Sequence, residues 1–409
     1  MRITGLTAEG FPPFADLSIT FPKQERKGSD EDSLAEVHLF TGENGTGKTR
    51  LLAMLAAALG NGSALNRRAS GRGISLAVNF EVLPNNTHVW TNRKPQETLL
   101  ASFPPELNGG WYAYSGHMPL DSHVMTPLAK VEQLKPEQLL DFDRPGDRGK
   151  MISQCLYNYA MQAASESFDK PTLPAKPSRW RRLLISVNRC IADITGIDFT
   201  LRPQTFPQTT LTVPMHGGEL TLDHVPDGLK AILSWAGDII VNQELRFPGN
   251  ADPLGKPMII LIDEPETHLH PAWQRQVLPV MQKLFRNAQI FVASHSPFVA
   301  SSLNDGWIHK FTRGADGKVQ VKTEVAKKGD TYMDAVEDIL GLAPLERFDP
   351  ESQKLLEKFY ALLKKVAQGK VPRSELDELA ERLRERGGEV ASVTETELCQ
   401  LEPGELVAK

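Results

Sequence analysis

The chain has 409 residues, of which 40% are hydrophobic and 24% are charged, a composition that is ordinary for a globular protein. Its length fits two domains, or one large α/β domain with an insertion. The formal net charge of −5 excludes the strong overall positive charge of many nucleic-acid-binding proteins, although a local basic surface is compatible with it.

The cysteines and the apolar runs bear on the cellular compartment. Three widely spaced cysteines, Cys155, Cys190 and Cys399, indicate a reducing compartment rather than a disulfide framework or a zinc site. No apolar run is long enough to span a membrane, and the N-terminal residues lack the pattern of a signal peptide. We therefore expect a cytoplasmic protein with no membrane partner.

The first 60 residues predict short strands followed by a phosphate-binding loop. The strand at Val37–Thr41 leads into a segment that fits G-x4-G-K-[ST]. Its residues are Gly42, Glu43, Asn44, Gly45, Thr46, Gly47, Lys48 and Thr49. The glycines let backbone N–H groups approach phosphate oxygens, and the helix that follows directs its positive end toward them. Lys48 would reach the β- and γ-phosphates of ATP, and Thr49 would bind Mg²⁺.

Residues 74–200 predict strands and then helices. Strands are expected at 74–82, 87–93 and 110–115, and helices at 128–142, 151–168 and 179–196; the helices indicate an insertion of modest size. Ser115-Gly116-His117 lies where a third nucleotide-contacting loop is often found, but it contains no glutamine, so we assign it no role. The basic groups Arg67, Arg68, Arg72 and Arg179-Trp180-Arg181-Arg182 are compatible with a polyanion contact, although solvated arginines are the favoured interpretation.

Two later strands end in ionisable residues. Met258–Ile262 is a continuous apolar run, typical of a strand that is buried on both faces of a parallel sheet, and it leads into Asp263 and Glu264. The next apolar run leads to His295. Because the carboxyl ends of parallel strands meet at one edge of a sheet, we expect Asp263, His295 and Lys48 to lie on the same edge.

The remaining segments are predicted from periodicity alone. Strands are expected within 197–224 and a hairpin within 307–324. Two amphipathic helices are expected in the tail, the second capped by Ser374. Their apolar stripes are Leu355, Phe359, Leu362 and Val366, and Leu376, Leu379, Ala380 and Leu383. The last twenty or so residues are expected to be weakly ordered.

Three motifs in this order resemble the ABC-type ATPases of the RecF, OLD and SMC kind. They are Gly42–Thr49, the segment DEPETHLHP from Asp263 to Pro271, and ASHSP from Ala293 to Pro297. The resemblance implies an α/β P-loop NTPase of the ABC-ATPase type, with a mixed β-sheet and flanking helices. It divides the chain into an N-terminal lobe of the ATPase core, a helical insertion, the rest of the core and a C-terminal helical extension, at residues 1–121, 122–200, 201–325 and 326–409.

The resemblance also implies roles for the residues of the site. Asp263 would help to hold Mg²⁺ together with Thr49, and Glu264 would act as the general base on the attacking water. His295 would sense or orient the γ-phosphate. His268 and the nearby His270 would lie between two ATPase heads, and subunit communication is favoured over a metal site made by this H-x-H pair.

In this kind of protein, two heads sandwich ATP, and the signature loop of one head caps the γ-phosphate bound to the other. The corresponding loop here is Val225-Pro226-Asp227-Gly228. Pro226 replaces the capping serine and Asp227 replaces the first glycine, so closure would depend on the Gly228 N–H, the helix dipole and Lys230. We expect ATP binding to be intact and hydrolysis to be slow.

No acidic pattern of a Toprim nuclease follows His295, and Asp334, Glu337 and Asp338 lie on a predicted helix. The chain therefore resembles ATPases that work with a separate effector in Septu and retron-associated antiphage systems, a step that rests on analogy. The leading hypothesis is a homo-oligomeric ATP switch that controls a partner nuclease or toxin. A RecF-like repair ATPase that binds DNA directly and a scaffold that binds ATP without turnover are the alternatives. A transporter subunit is disfavoured by the altered signature loop and the missing glutamine.

Overall fold

The computed structural model describes residues 1–14, 16–24, 34–61, 75–82, 86–91, 110–116, 120, 125–127, 129–131, 134, 136–141, 148–169, 178–215, 217–314, 316–326, 335 and 344–400. It forms two compact units, Met1–Ala335 and Val336–Lys409. The predicted contacts of Arg67, Arg68, Arg72 and His117 fall outside the described residues, as does the helix that was predicted around Asp334.

The described strands of the larger unit form three sheets. In chain order the strands are β1 Arg2–Glu9, β2 Asp16–Thr20, β3 Glu36–Gly42, β4 Ser75–Val82, β5 Asn86–Thr91, β6 Gly110–Ser115, β7 Arg202–Gln204, β8 Thr210–Met215, β9 Gly218–Thr221, β10 Met258–Asp263, β11 Ala288–Ala293, β12 Trp307–Arg313 and β13 Val319–Val325. The six-stranded sheet has the order β13-β12-β3-β11-β10-β6 and is parallel except for the β12–β13 hairpin. The antiparallel sheets have the orders β2-β1-β4-β5 and β7-β8-β9.

The central strands are buried because their sequences are continuous apolar runs. Every residue of β11 is buried, and so is every residue of β10 except the last, Asp263. In register, Asp263 lies opposite Ala293 on β11 and Ser115 on β6. The carboxyl ends of these parallel strands therefore meet at one edge of the sheet, as the sequence predicts.

The helices of the described residues are short or medium in length. They are α1 Lys48–Ala58, α2 Pro136–Leu139, α3 Arg148–Asp169, α4 Arg179–Thr195, α5 Asp227–Arg246, α6 Pro271–Leu284, α7 Pro297–Ser302, α8 Pro350–Ala367, α9 Arg373–Glu385 and α10 Gly388–Gln400. Nine residues of α1 are buried, and all of them except Lys48 belong to one apolar cluster with residues of the four-stranded and six-stranded sheets. No helix among the described residues is both long enough and apolar enough to cross a membrane.

The predicted helical insertion is confirmed in two of its three helices. α3 and α4 match the second and third periodic segments, and α4 is capped by the Ser178 hydroxyl and ended by Gly196 in the left-handed conformation. Among the described residues of the first segment, 128–142, only those of α2 are helical, so the prediction of one continuous helix is wrong there. Pro136 explains the difference, because proline is tolerated at the start of a helix but not in its interior.

A buried ion pair joins the insertion to the rest of the larger unit. Arg148, the first residue of α3, is 2% exposed and pairs with Asp238 of α5, which is 0% exposed. The Arg148 guanidinium also donates to the carbonyl oxygens of Ala113 and Leu139, each at 3.1 Å. Asp238 accepts a further hydrogen bond from the Tyr114 hydroxyl of β6. The insertion, α5 and the sheet thus share one satisfied polar network.

The smaller unit is helical, and its core is made by the predicted apolar stripes. Leu355, Phe359 and the whole second stripe are buried there, and Leu362 and Val366 pack against them. Two predictions about the tail are wrong. α9 begins at Arg373 after Pro372, with no side-chain cap, so Ser374 is not its cap. Residues 388–400 form α10 because Val390 and Leu398 join the apolar core.

Candidate nucleotide-binding site

The loop between β3 and α1 has a backbone conformation that requires glycine. Gly42, Gly45 and Gly47 have φ angles of 129°, 77° and 96°, values that other L-residues rarely adopt. A Cβ atom at Gly42 would lie 2.1 Å from the Phe311 carbonyl oxygen, and one at Gly47 would lie 2.5 Å from the Phe14 ring. The glycines therefore permit both the turn and its close contacts, and the loop ends where α1 begins.

Lys48 is held inside this loop. Its Nζ donates to the carbonyl oxygens of Gly42 at 2.8 Å and Glu43 at 2.9 Å, and the residue is 4% exposed. Burial lowers the pKa of Lys48 to about 8, against the opposing effect of Asp263 and Glu264. Glu43 and Asn44 are exposed at the tip of the loop, while Thr46 is buried and donates to the Glu43 carbonyl at 2.8 Å.

Two oxygen ligands suited to Mg²⁺ meet beside Lys48. The Thr49 hydroxyl at the start of α1 donates to Asp263 Oδ1 at 3.1 Å. Mg²⁺ in proteins is bound by carboxylate and hydroxyl oxygens together with water and phosphate oxygens. The donor set and the glycine cradle fit a magnesium nucleotide, and the structure brings together the predicted pair Thr49 and Asp263.

Glu264 and His295 lie at the same sheet edge. Glu264 has a φ of 54°, and its N–H donates to the Ala293 carbonyl at 2.8 Å, so β10 and β11 remain tied where their side chains diverge. The His295 ring is half-buried and lies beside the Gly42 carbonyl. Burial and the neighbouring Lys48 lower the pKa of His295, so the imidazole is neutral near pH 7.

Glu266 is a site residue that the sequence reasoning did not single out. Its Oε1 accepts hydrogen bonds from the Ser294 hydroxyl and from the backbone N–H groups of His295 and Ser296. A third carboxylate in DEPE, placed two residues after the expected base, was the only signal in the sequence. Periodicity could not indicate that it turns toward the loop after β11.

The predicted signature loop, Val225–Gly228, leads into α5. Pro226 is the N-cap of α5 and makes no side-chain capping hydrogen bond. The Lys230 ammonium donates to the Asp223 carbonyl at 2.7 Å and to Asp227 at 3.3 Å. A Cβ at Gly228 would lie 2.8 Å from the His268 carbonyl oxygen. The loop thus packs directly on the segment that follows Glu264.

Several other sequence candidates have ordinary structural partners. Arg179 pairs with Glu244 and stacks over Trp180, and Arg181 lies 3.8 Å from Glu166. His270 caps α6 by accepting the Ala272 N–H. Across the described ranges, no group of three His, Cys, Asp or Glu residues is placed to hold a metal ion.

The phosphate-binding loop between β3 and α1, the central parallel strands with their charged ends and the flanking helices define a P-loop NTPase fold of the ABC-ATPase type. This confirms the predicted fold class.

Comparisons with known proteins agree with this class. Residues 120–301 match the family described as "AAA domain, putative AbiEii toxin, Type IV TA system"; this range starts after the phosphate-binding loop and includes Asp263, Glu264 and His295. The chain is 30% identical to the Retron Ec83 probable ATPase of Escherichia coli over 161 residues, which are 36% of this chain and 30% of that protein. It is 22% identical to the Septu protein PtuA of Bacillus thuringiensis over 75% of this chain and 78% of that protein.

The first relatives are matched over only part of their length. The alignments with the Ec83 ATPase and with the Retron Vc95 probable ATPase of Vibrio cholerae cover 30% and 22% of those proteins. Among solved structures, the Smc head domain of Pyrococcus furiosus bound to the C-terminal domain of ScpA is similar, with a TM-score of 0.46 and 14% identity over 83% of this chain and 99% of that one. The predicted resemblance to proteins of retron and Septu systems is confirmed by the matches to the two retron probable ATPases and to PtuA.

Proposed function

We propose that the chain binds ATP with Mg²⁺ and hydrolyses it. The observation that carries this proposal is the meeting of Lys48, Thr49, Asp263, Glu264 and His295 at one edge of a parallel sheet, beside a loop whose glycines leave room for phosphate oxygens. Lys48 and the loop amides would bind the phosphates, and Thr49 and Asp263 would hold the metal ion, which would neutralise charge on the phosphate oxygens.

The proposed chemistry is proton abstraction from water. Glu264 follows the metal-binding carboxylate directly and would orient the attacking water and take its proton. His295, neutral near pH 7, has one ring N–H, which would donate a hydrogen bond to the γ-phosphate or to the water. Positioning and charge stabilisation supply most of the rate enhancement in such reactions.

We infer further that hydrolysis acts as a switch in antiphage defence. The support is the similarity to ATPases of retron and Septu systems and the position of the signature loop beside His268. Two copies would enclose ATP between the Gly42–Thr49 loop of one and the Pro226–Gly228 loop of the other. ATP loading and hydrolysis would then control a separate effector protein, a nuclease or a toxin.

Two measurements on the full chain test the proposed activity. ATP binding is measured by calorimetry with and without Mg²⁺, and phosphate release is measured for the wild type and for Glu264→Ala. We expect both proteins to bind ATP. The rate of phosphate release by the variant should be about 100-fold lower than that of the wild type, or lower still. Equal rates of phosphate release by the two proteins would show that Glu264 has no role in hydrolysis. Absence of ATP binding by the wild type would reject the proposal as a whole.

A second candidate function is a scaffold that holds ATP without turnover. It is favoured by one observation, the replacement of the capping serine by Pro226, whose side chain makes no hydrogen bond at the start of α5. This candidate predicts tight ATP binding with no phosphate release from the wild type above that of Glu264→Ala. The same pair of measurements therefore separates the two candidates.

A further inference from the structure

Glu266 connects the segment after β10 to the loop that carries His295. Its Oε1 accepts three hydrogen bonds, from the Ser294 hydroxyl at 2.7 Å, the His295 N–H at 2.9 Å and the Ser296 N–H at 3.1 Å. Hydrogen bonds to an ionisable acceptor are among the strongest in proteins. Two of the three donors are backbone groups, so these contacts fix the course of the chain at His295 itself.

The contacts continue from His295 to the phosphate-binding loop. The His295 ring lies beside the Gly42 carbonyl and Lys48, and that carbonyl accepts a hydrogen bond from Lys48 Nζ at 2.8 Å. On the other side, the Ser296 hydroxyl donates to Gln274 Oε1 at 2.6 Å and caps α7. Glu266 is therefore the acceptor that holds the loop of Ser294–Ser296, whose His295 ring lies beside the phosphate-binding loop.

The second oxygen of Glu266 indicates that the side chain acts through its hydrogen-bond acceptor rather than through its negative charge. Oε2 is buried and has no hydrogen-bond partner among the described residues. Burial, together with the nearby Glu264, raises the pKa of Glu266 despite its hydrogen bonds. The surroundings thus favour the acceptor oxygen Oε1 but disfavour the negative charge, which is the reverse of what a metal ligand needs.

We propose that Glu266 is a positioning residue, whose Oε1 holds the loop of Ser294–Ser296 so that the His295 ring stays against the phosphate-binding loop. This inference rests on the proposed ATP hydrolysis and assigns Glu266 no contact with the nucleotide. Glutamine should substitute for glutamate here. Its amide oxygen accepts the same three donors, and its amide nitrogen takes the place of Oε2, which has no donor to lose.

The kinetic test compares Glu266→Ala with Glu266→Gln in the full chain. A misplaced catalytic group can cost about 100-fold, so we expect alanine to lower kcat about 10- to 100-fold with KM for ATP changed less than about threefold. Glutamine should keep kcat within about threefold of the wild type, because it preserves the acceptor. Glu219→Ala is the matched control, because this carboxylate is in an exposed ion pair with Arg202, and it should leave kcat and KM unchanged.

A second readout does not depend on catalysis. Amide hydrogen exchange at His295 and Ser296 is measured in the protein without nucleotide. Loss of one hydrogen bond is worth about 1 kcal/mol, or about fivefold in exchange rate, and we expect that acceleration in Glu266→Ala and none in Glu266→Gln. If the alanine variant does not fold, Ser294→Ala replaces it, since it removes one of the three donors and should give a smaller change of the same kind.

The outcomes separate the two proposals. If exchange is faster in Glu266→Ala than in the wild type, but the wild type does not hydrolyse ATP, the proposed function is rejected and the positioning contact is retained. Unchanged exchange and unchanged kcat in Glu266→Ala would overturn the positioning role. A glutamine variant that is as impaired as the alanine variant would show that the charge is needed, which also overturns the proposal as stated.

Discussion

The larger unit contains two charged clusters, and they differ in how their charges are balanced. The inner cluster consists of Arg148, Asp238 and Tyr114; its ion pair is almost completely buried, and its polar groups are paired within the protein. The edge cluster consists of Lys48, Thr49, Asp263, Glu264 and His295, and it gathers carboxylates at the half-buried end of a sheet. Buried charges that neutralise each other have a structural role. Like charges that are gathered at a sheet edge are instead typical of a site that binds a cation and a ligand.

The difference should appear when residues are replaced one at a time. In the inner cluster, a single substitution leaves a buried charge without its partner, and stability falls. In the edge cluster, burial lowers the pKa of Lys48 to about 8, which means that the fold does not gain from the charge of this residue. Substitutions there should reduce nucleotide binding while stability is kept, as expected where function and stability conflict.

The largest expected effect on stability is that of Asp238→Asn. The variant leaves the Arg148 guanidinium buried opposite a neutral amide, and we expect a loss of about 3–5 kcal/mol in the free energy of unfolding. Urea denaturation measures it. Asp252→Asn is the control, because Asp252 forms an exposed pair with Arg286, and exposed pairs contribute about 0–1 kcal/mol. A loss below 1 kcal/mol for Asp238→Asn would contradict the structural role of the inner cluster.

A pH titration extends the comparison to Glu36 on β3. Burial alone would raise the pKa of Glu36, but hydrogen bonds from His38 and Arg2 outweigh it and hold this pKa at about 2, below the ordinary 4.5. The His38 ring is itself buried, which lowers its pKa, so Arg2 is the charged partner at neutral pH. A carboxyl group with a lowered pKa stabilises the fold above about pH 4.5, and this contribution is lost as the pH falls toward 2.

The size of that loss follows from the two pKa values. Their difference corresponds to about 3 kcal/mol. We expect the free energy of unfolding to fall by about this amount between pH 5 and pH 2 in the wild type, in excess of the fall in Glu36→Gln, which lacks the titrating group. Equal pH dependence of the two proteins would contradict the assignment.

Lys48→Met should reduce ATP affinity and leave stability unchanged, whereas Asp238→Asn should reduce stability. Methionine keeps the length of the buried stem but removes the charge that would meet the phosphates. We expect ATP affinity measured by calorimetry to fall about 10- to 100-fold, or about 1.4–2.8 kcal/mol, with little change in the unfolding free energy. Lys283→Met is the control, because this lysine lies in the last turn of α6. A large loss of stability in Lys48→Met would show that Lys48 has a structural role, like the residues of the inner cluster.

The two clusters also differ in how far the sequence could predict them. The edge cluster was predictable because its members follow continuous apolar runs, so Asp263 and His295 had to reach the same edge as Lys48. The inner cluster was not predictable, because Arg148 and Asp238 are 90 positions apart. Arg148 also lies before the helix predicted at 151–168, and periodicity does not say which helices meet. Glu266 falls between the two cases. Its motif was visible, but its three hydrogen bonds depend on how the chain turns after Glu264.

The smallest expected effect concerns Pro226, the position that departs from the signature pattern. Serine at a helix N-cap accepts a backbone N–H and is worth about 1 kcal/mol over a residue that cannot. Pro226→Ser would restore this cap, and in two enclosed copies it would also supply a hydroxyl toward the γ-phosphate. We expect kcat for phosphate release to rise about three- to fivefold at saturating ATP, since about 1 kcal/mol is roughly fivefold in rate. Thr221→Ser, at the end of β9 before the loop, controls for the added serine. If Pro226→Ser raises stability but not kcat, the loop does not limit hydrolysis, and the slow step lies within the edge cluster.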